Sequence, residues 1–220
     1  ISIMQNQPPF PAGMQYRNAK NQNVIVARGG ILHTDIWRSM MPDFESLNDR
    51  LLTDIMEYKA DKPTIDPMAN PGCWRGSSDF RDWPTLRALA IENLRAIHRH
   101  YINTGAPCAP LENIPAERFE MDYWANVNEQ GSANAMHTHS KWHWSGVYYV
   151  QGTGTGEIAM YSSAYLNQQV SYGLPFGQSF TLPAEDGLLL MFPSYLLHEV
   201  LPNPSQRQRV NVAFNVKINF

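Results

Sequence analysis

From Phe119 onward the chain is written in period two. "FEMDYWANVN" alternates apolar and polar side chains. "WSGVYYV", "EIAMY", "QSFTL", "GLLLMF" and "HEVLP" follow as short strand-like runs, and "RQRVNVAFNVKINF" closes the chain with a further alternation. Side chains on a strand point to opposite faces in turn, so alternation means that the two faces meet different surroundings. About eight such strands must share a core, which predicts one curled or double sheet.

The first half reads differently. "NVIVARGGIL" (Asn23–Leu32) has an alternating start and a Gly-Gly stop, which predicts a strand. Residues 1–22 are polar and contain proline, and are expected to be irregular. Pro42–Lys59 is expected to be a helix, with proline in its first turn and Asp43 and Glu45 at its positive end. Phe44, Leu47, Leu51, Ile55 and Tyr58 fall on one stripe of it. A second helix is expected from Pro84 to about Ile102, with Leu86, Ala90, Asn93, Leu94, Ile97 and Tyr101 on its inner face. His98 and His100 then fall in its last turn, where the helix dipole favours a cation. "DKPTIDPMANPGCWRGSSDF" between the helices is broken by Pro and Gly and reads as loop. The fold class is therefore mostly β with helices (α+β), the two helices packed on one side of the sheet.

Composition narrows the function. A net charge of −3 on 220 residues gives no case for nucleic acid or an anionic membrane. No apolar run approaches the length of a membrane span. The N-terminus lacks the basic-then-apolar layout of a secretory signal, and the absent initial Met suggests a missing leader or tag. Cys73 and Cys108 are far apart and are expected to be free thiols in a reducing, cytoplasmic setting. "GTGTGE" lacks the Lys-Ser/Thr of a phosphate loop and opens no helix. It reads as the Gly-rich turn of a hairpin between "WSGVYYV" and "EIAMY". Ser162–Gly177 has no strong period and reads as a loop over the mouth of the sheet.

Three of the seven histidines stand within "HTHSKWH". His137 and His139 are two apart, which on an extended segment puts both imidazoles on one face. A third ligand must come from elsewhere, and His198 in "FPSYLLHEVLP" is the candidate. Arg209 begins the last alternating run. An inward-pointing guanidinium beside a metal site suits a dicarboxylate whose other end chelates the ion. Arg207 has the same strand parity and is its rival. His143 reads as a bystander or pocket wall. Trp142 and Trp144 are candidates for lining a substrate cleft, and His33 has no assigned role.

Taken together, "GCWRGSSDF", "WANVNEQGSANAMHTH", "SGVYYV", "MFPSYLLHEVLPN" and "RVNVAFNV" resemble the Fe(II)- and 2-oxoglutarate-dependent oxygenase superfamily, and within it a bacterial and phage family of 2-oxoglutarate–Fe(II) oxygenases. The likeness spans about residues 70–220. It implies a double-stranded β-helix of the jelly-roll or cupin-like, prolyl-hydroxylase-like kind. One domain over 1–220 is then expected, with an N-terminal strand and helices (1–118) and a β-helix core (119–220). The implied metal ligands are His137, His139 and His198. The implied 2-oxoglutarate contacts are Arg209 and Tyr149, the latter matching a tyrosine position of the similar prolyl hydroxylases. Asn126, on the strand before the histidines, and Ser145 are weaker candidates for the pocket wall. The implied activity is hydroxylation of a C–H bond by O2, with succinate and CO2 as co-products, on a small molecule or a side chain. A homodimer is compatible with this.

His139 departs from the family, which usually has a carboxylate there. Three neutral imidazoles leave Fe(II) at its full charge. Metal retention should then depend on the dianionic co-substrate, or another metal could be favoured, or water, chloride or substrate takes the place of His139. Two rivals follow: a cupin-like three-histidine metalloenzyme that does not use 2-oxoglutarate, and a non-catalytic binding module on the same scaffold.

Overall fold

The structure is a computed structural model that describes residues 14–17, 23–26, 34–41, 43–63, 70, 72–76, 83–161 and 179–220. The loop expected over Ser162–Gly177 and the strand residues expected after Val26 lie outside them. Ile1–His33 and Thr34–Phe220 form two compact units. In the first, β1 (Met14–Arg17) pairs antiparallel with β2 (Asn23–Val26). Residues 14–17 were expected to be irregular; cross-strand pairing, which no local pattern encodes, makes them a strand.

The second unit holds β3 (Trp37–Met40), α1 (Phe44–Asp61), β4 (Cys73–Gly76), α2 (Trp83–Asn103), a 3₁₀ turn (Ala116–Arg118) and eight further strands. These are β5 (Phe119–Asn128), β6 (Asn134–His137), β7 (Trp144–Gln151), β8 (Glu157–Tyr161), β9 (Ser179–Pro183), β10 (Leu188–Pro193), β11 (Leu197–Val200) and β12 (Arg209–Ile218). A six-stranded sheet runs β3-β10-β7-β12-β5-β4, and a four-stranded sheet runs β6-β11-β8-β9. All the strand pairs are antiparallel. This is the mostly β, two-sheet architecture with two helices that the period-two pattern predicts.

Strand faces divide the interior. On β12 the even residues Val210, Val212, Phe214 and Val216 join Tyr148 and Val150 of β7 and the inner faces of α1 and α2 in one core. On β7 and β10 the alternate residues Val147, Tyr149, Leu188, Leu190 and Phe192 pack with Ile158 and Met160 of β8 in a second core. That second core belongs to the space between the sheets, where the functional residues lie. Gly146 sits where a Cβ would come within 2.3 Å of the Phe214 ring, so the ring can lie over β7 because this side chain is absent.

The helix expected from Pro42 begins at Phe44, with Asp43 at φ 50 as its cap. Leu47, Leu51 and Ile55 are buried as the stripe requires, while Phe44 and Tyr58 are half-buried. Asn48, a polar residue on the same face, is buried too. It donates from Nδ2 to the Val150 carbonyl (2.8 Å) and accepts from the Tyr148 hydroxyl (2.7 Å). These two bonds fasten α1 to β7. In α2, Leu86, Ala90, Leu94 and Ile97 are buried, whereas Asn93 and Tyr101 are half-buried.

Several expectations are corrected. His98 is not a helix-end cation site: α2 continues to Asn103, and His98 is buried with Nδ1 2.9 Å from the Ala109 carbonyl. The segment around Trp74 is strand β4 rather than loop, because Cys73–Gly76 pairs with Asn128–Ala125 of β5 and Trp74 enters the core. β7 and β8 do not form a hairpin. Each belongs to a different sheet, and the Gly-rich turn carries the chain across between them. That turn is held by Asp186, whose Oδ1 accepts from the Gly152 (2.6 Å) and Thr153 (2.8 Å) amides. Both cysteines are free, as expected. No helix among the described residues is long and apolar enough to cross a membrane.

Replacing Asn48 by Ala should leave the Tyr148 hydroxyl without its buried acceptor. We expect a loss of about 2 kcal/mol in urea unfolding, with the denaturant slope unchanged.

Candidate metal centre between the sheets

β6 and β11 lie side by side, and their register sets His198 directly opposite His137. His139 follows two residues later, just beyond the end of β6. Its amide donates to the Ser194 carbonyl (2.8 Å), which ties this turn to the end of β10. The i, i+2 spacing therefore does what an extended segment requires of it. Ring centroids stand 4.3 Å apart for His137–His198, 4.9 Å for His137–His139 and 5.2 Å for His139–His198. One nitrogen from each ring can be chosen so that all three lie within 4.8 Å of one another.

The tautomers are also set. Nδ1 of His137 is 2.6 Å from the Ala135 carbonyl, and Nδ1 of His198 is 2.8 Å from the Leu196 carbonyl. A carbonyl only accepts, so each Nδ1 carries the proton and each Nε2 keeps its lone pair for a metal. Burial first, and then the neighbouring His137, push the His198 imidazole down to about 3. Burial, then His137 and Arg75, push His139 down to about 4. Both are neutral near pH 7 and need expel no proton to ligate. Among the described residues no carboxylate joins the cluster. The donor set of three nitrogens fits a first-row transition metal such as iron, nickel or zinc.

The histidines border an inner cavity of about 60 Å³ lined also by Asn126, Ser145, Tyr149, Phe192 and Asn211. Asn126 donates to the Asn211 side chain at 2.9 Å. The Ser145 hydroxyl is engaged by Asn215 (2.8 Å) and Ser194 (2.9 Å), which leaves it part of the wall. Tyr149 is buried; desolvation pushes its phenol up to about 12 against the opposing pull of Arg209.

Arg209 opens β12 on the same face as Asn211 and is 0% exposed. Its Nη1 donates to the carbonyls of Thr155 (2.9 Å) and Leu201 (3.3 Å). Its Nε and Nη2 are buried and find no partner among the described residues. Burial works against the charge, yet a guanidinium stays protonated. An uncompensated buried cation with one whole edge of donors open is costly on its own and fits a carboxylate. Gly156 lies against this guanidinium: at φ 103, a Cβ there would come 3.2 Å from Nη1, a tight contact.

Arg207, its rival, lies outside this space. Its guanidinium bonds the Asp186 carboxylate (3.0 Å) and the Thr153 carbonyl (2.9 Å) at the crossover turn. Burial pushes Asp186 up, but the amides of Thr153 and Gly152 and Arg207 together hold it below the usual carboxylate range. His143 is a structural residue: its Nδ1 accepts the Ile218 amide at 3.1 Å and its own amide bonds Val216. Trp144 is buried on the helix side and is no cleft residue, whereas Trp142 does line a cleft. His33 lies outside the described residues.

That cleft, of about 470 Å³, adjoins the histidines. His137, His139, Trp124, Asn126 and Asn134 border both spaces. Asn211, Asn134, Arg75 and Trp124 were not singled out from the sequence as site residues. The parity of "RVNVAFNV" was a usable signal for Asn211, because it shares a face with Arg209.

Residues 122–215 match the family model described as "Putative 2OG-Fe(II) oxygenase". This segment contains all three histidines and Arg209. No curated protein matches the chain significantly. Among solved structures, a Pseudomonas putida prolyl-4-hydroxylase is similar with a TM-score of 0.55 at 16% identity, covering 86% of this chain and 95% of that one. The α-ketoglutarate-dependent epimerase SnoN of nogalamycin biosynthesis gives 0.57 at 11% identity, covering 83% and 77%. HygX from Streptomyces hygroscopicus, solved with nickel and 2-oxoglutarate, gives 0.54 at 11% identity, covering 85% and 84%. At these identities the likeness is one of fold.

Calorimetric titration with Ni(II) as probe should show one site per chain. His198→Ala should weaken it by at least about 100-fold, whereas His143→Ala should leave the Kd unchanged.

Proposed function

With residues 122–215 matching the 2-oxoglutarate–Fe(II) oxygenase family, we propose that this chain is a non-haem iron, 2-oxoglutarate-dependent dioxygenase that hydroxylates a C–H bond, organised as one oxygenase domain over 1–220. A single juxtaposition carries the reading. A three-histidine cluster borders the inner cavity, and the buried guanidinium of Arg209, with an open donor edge, lies on the same β12 face as Asn211 of that cavity's wall and close to Tyr149, which also lines it.

His137 and His198 would hold the metal through Nε2, and His139 would complete a facial set. When bound, iron with 2-oxoglutarate and O2 supplies the oxidant for hydroxylation and yields succinate and CO2. The remaining work belongs to the chain's own side chains. Arg209 would take the distal carboxylate of 2-oxoglutarate on its Nε–Nη2 edge, with Tyr149 beside it. The amide pair Asn126–Asn211 offers neutral hydrogen-bonding groups to the co-substrate without adding charge. Phe192, Val147 and Ile158 line the cavity and limit water around the reacting atoms. Ser145, with Ser194 and Asn215, keeps the β7, β10 and β12 walls in register.

The all-histidine set also suits a cupin-like metalloenzyme without a 2-oxo acid, and Arg209 separates the two readings. Anaerobic titration of the Fe(II) protein with 2-oxoglutarate should give a visible metal-to-ligand charge-transfer band. In Arg209→Ala the metal should remain and the 2-oxoglutarate Kd should rise by at least about 100-fold, as expected for loss of a buried bidentate pair. An unchanged Kd in that variant would favour the cupin-like reading. A protein that binds no iron, manganese, nickel or zinc with its histidines intact would favour a non-catalytic module.

His139→Asp should tighten Fe(II) binding in the absence of 2-oxoglutarate, because the carboxylate offsets one of the ion's charges. Metal titrations with and without the 2-oxo acid measure this, and a variant that binds Fe(II) no more tightly than wild type would place the ligand elsewhere.

A further inference from the structure

The cleft that adjoins the histidines is electrically lopsided. One end meets the imidazoles and carries Arg75, which is stacked on Trp124 at 4.4 Å from the ring centroid and has a partner of its own. That charge is near enough to disfavour protonation of His139. The other end carries Asp122, the one carboxylate among the described lining residues. Asp122 stands two residues before Trp124 on β5, about 7 Å further along the strand. It is exposed, and it has no hydrogen-bond or ion-pair partner among the described residues. Its cross-strand neighbour is Asn215 of β12, a neutral amide whose Oδ1 accepts the Ser145 hydroxyl. One row further out Glu120 pairs with Lys217 at 3.8 Å, so those two charges offset each other. The Asp122 charge is left uncompensated. Trp142 borders the same cleft. Its amide donates to the His139 carbonyl (3.1 Å), and the next amide, of His143, donates to the Val216 carbonyl (2.9 Å). Trp142 is thereby held between His139 and the row of Asp122 and Asn215. Among the described residues no ring or cation stacks on its indole.

We propose that Asp122 and Trp142 bind the ammonium group of the primary substrate, so that the enzyme oxidises a C–H bond of an aliphatic amine. The inference rests on the oxygenase reading of the three-histidine centre. An ammonium gains from both groups, from the carboxylate by charge and from the indole face by its quadrupole. The opposite end of the cleft orients it. Arg75 and an ion on the histidines repel a cation, so the amine turns towards Asp122 and its uncharged carbon chain reaches in towards the reacting centre. The separation along β5 leaves several carbons between the amine and the oxidised position. A carboxylic acid fits this end poorly, because Asp122 repels it. The cleft, of about 470 Å³, suits a small molecule or a single side chain rather than a folded surface. Met136 adds apolar wall for a run of methylene groups.

The test uses the full chain loaded with Ni(II) and 2-oxoglutarate, at low ionic strength. Calorimetry follows the binding of n-pentylamine, cadaverine, L-lysine and a short peptide with one central lysine. Each is compared with its N-acetylated form, in which the side-chain or terminal amine is neutral, and pentanoate serves as the anionic control. At least one amine should bind wild type about tenfold more tightly than its acetylated form, as a surface ion pair with an added cation–π contact predicts. Asp122→Asn should abolish that discrimination, Asp122→Glu should keep part of it, and Trp142→Ala should weaken it. Tighter binding of the free amines assigns a small-molecule substrate, and tighter binding of the peptide assigns a side chain. The inference is overturned if wild type prefers no amine to its acetylated form, if pentanoate binds better than every amine, or if Asp122→Asn retains the preference. The wild-type comparison stands even if a variant fails to fold. Failure of the protein to bind Ni(II) and 2-oxoglutarate in the loading step would instead refute the oxygenase reading.

Discussion

One strand with two unlike faces organises this molecule. β12 lies between β7 and β5 in the larger sheet. Its even residues are apolar and press against the helix layer. Its odd residues are Arg209, Asn211, Ala213 and Asn215, and they face the space between the sheets. Burying the even face fixes the register of the strand, because a one-residue slip would drive the guanidinium into the helix core. The strand that stabilises the fold is thus also the strand that places the charged donor. The same holds for β7, where Tyr148 reaches Asn48 of α1 while Tyr149 faces inward.

Electrostatics in the space between the sheets runs in one direction. The described residues bring three imidazoles and a buried guanidinium there, and no carboxylate joins the histidine cluster. A divalent ion adds positive charge to a region that already carries some. A dianion relieves both the ion and Arg209. On the proposed reading, metal and co-substrate are therefore coupled by charge, and each should stabilise the binding of the other. With a carboxylate in the place of His139 the ion would be partly neutralised before any co-substrate arrived.

Much of this was legible in the sequence. β5, β10 and β12 follow from alternation and apolar runs, and α1 and α2 from their stripes, because each signal is local. The convergence of His137, His139 and His198 was readable from the i, i+2 spacing together with the family likeness. Pairing was not readable. β4 is short and flanked by Pro and Gly, and only its partner β5 makes it a strand. The partition of β7 and β8 between two sheets likewise depends on which distant strands they meet. Arg207 and Arg209 have equal parity, so the choice between them waited on Asp186, a residue twenty-odd positions away that no local pattern links to either.

The crossover turn at residues 152–156 has a reach beyond its own geometry. Asp186 clamps its first two amides, and its Thr155 carbonyl holds one end of the Arg209 guanidinium. The tilt of the Arg209 guanidinium is thus set in part by a turn whose residues border neither of the two spaces at the histidines. A change in this turn, or in the Asp186 clamp, can move the Arg209 guanidinium while every residue that lines the cavity stays the same. The turn is an evolutionary tuning point, one that a comparison of pocket residues alone would overlook.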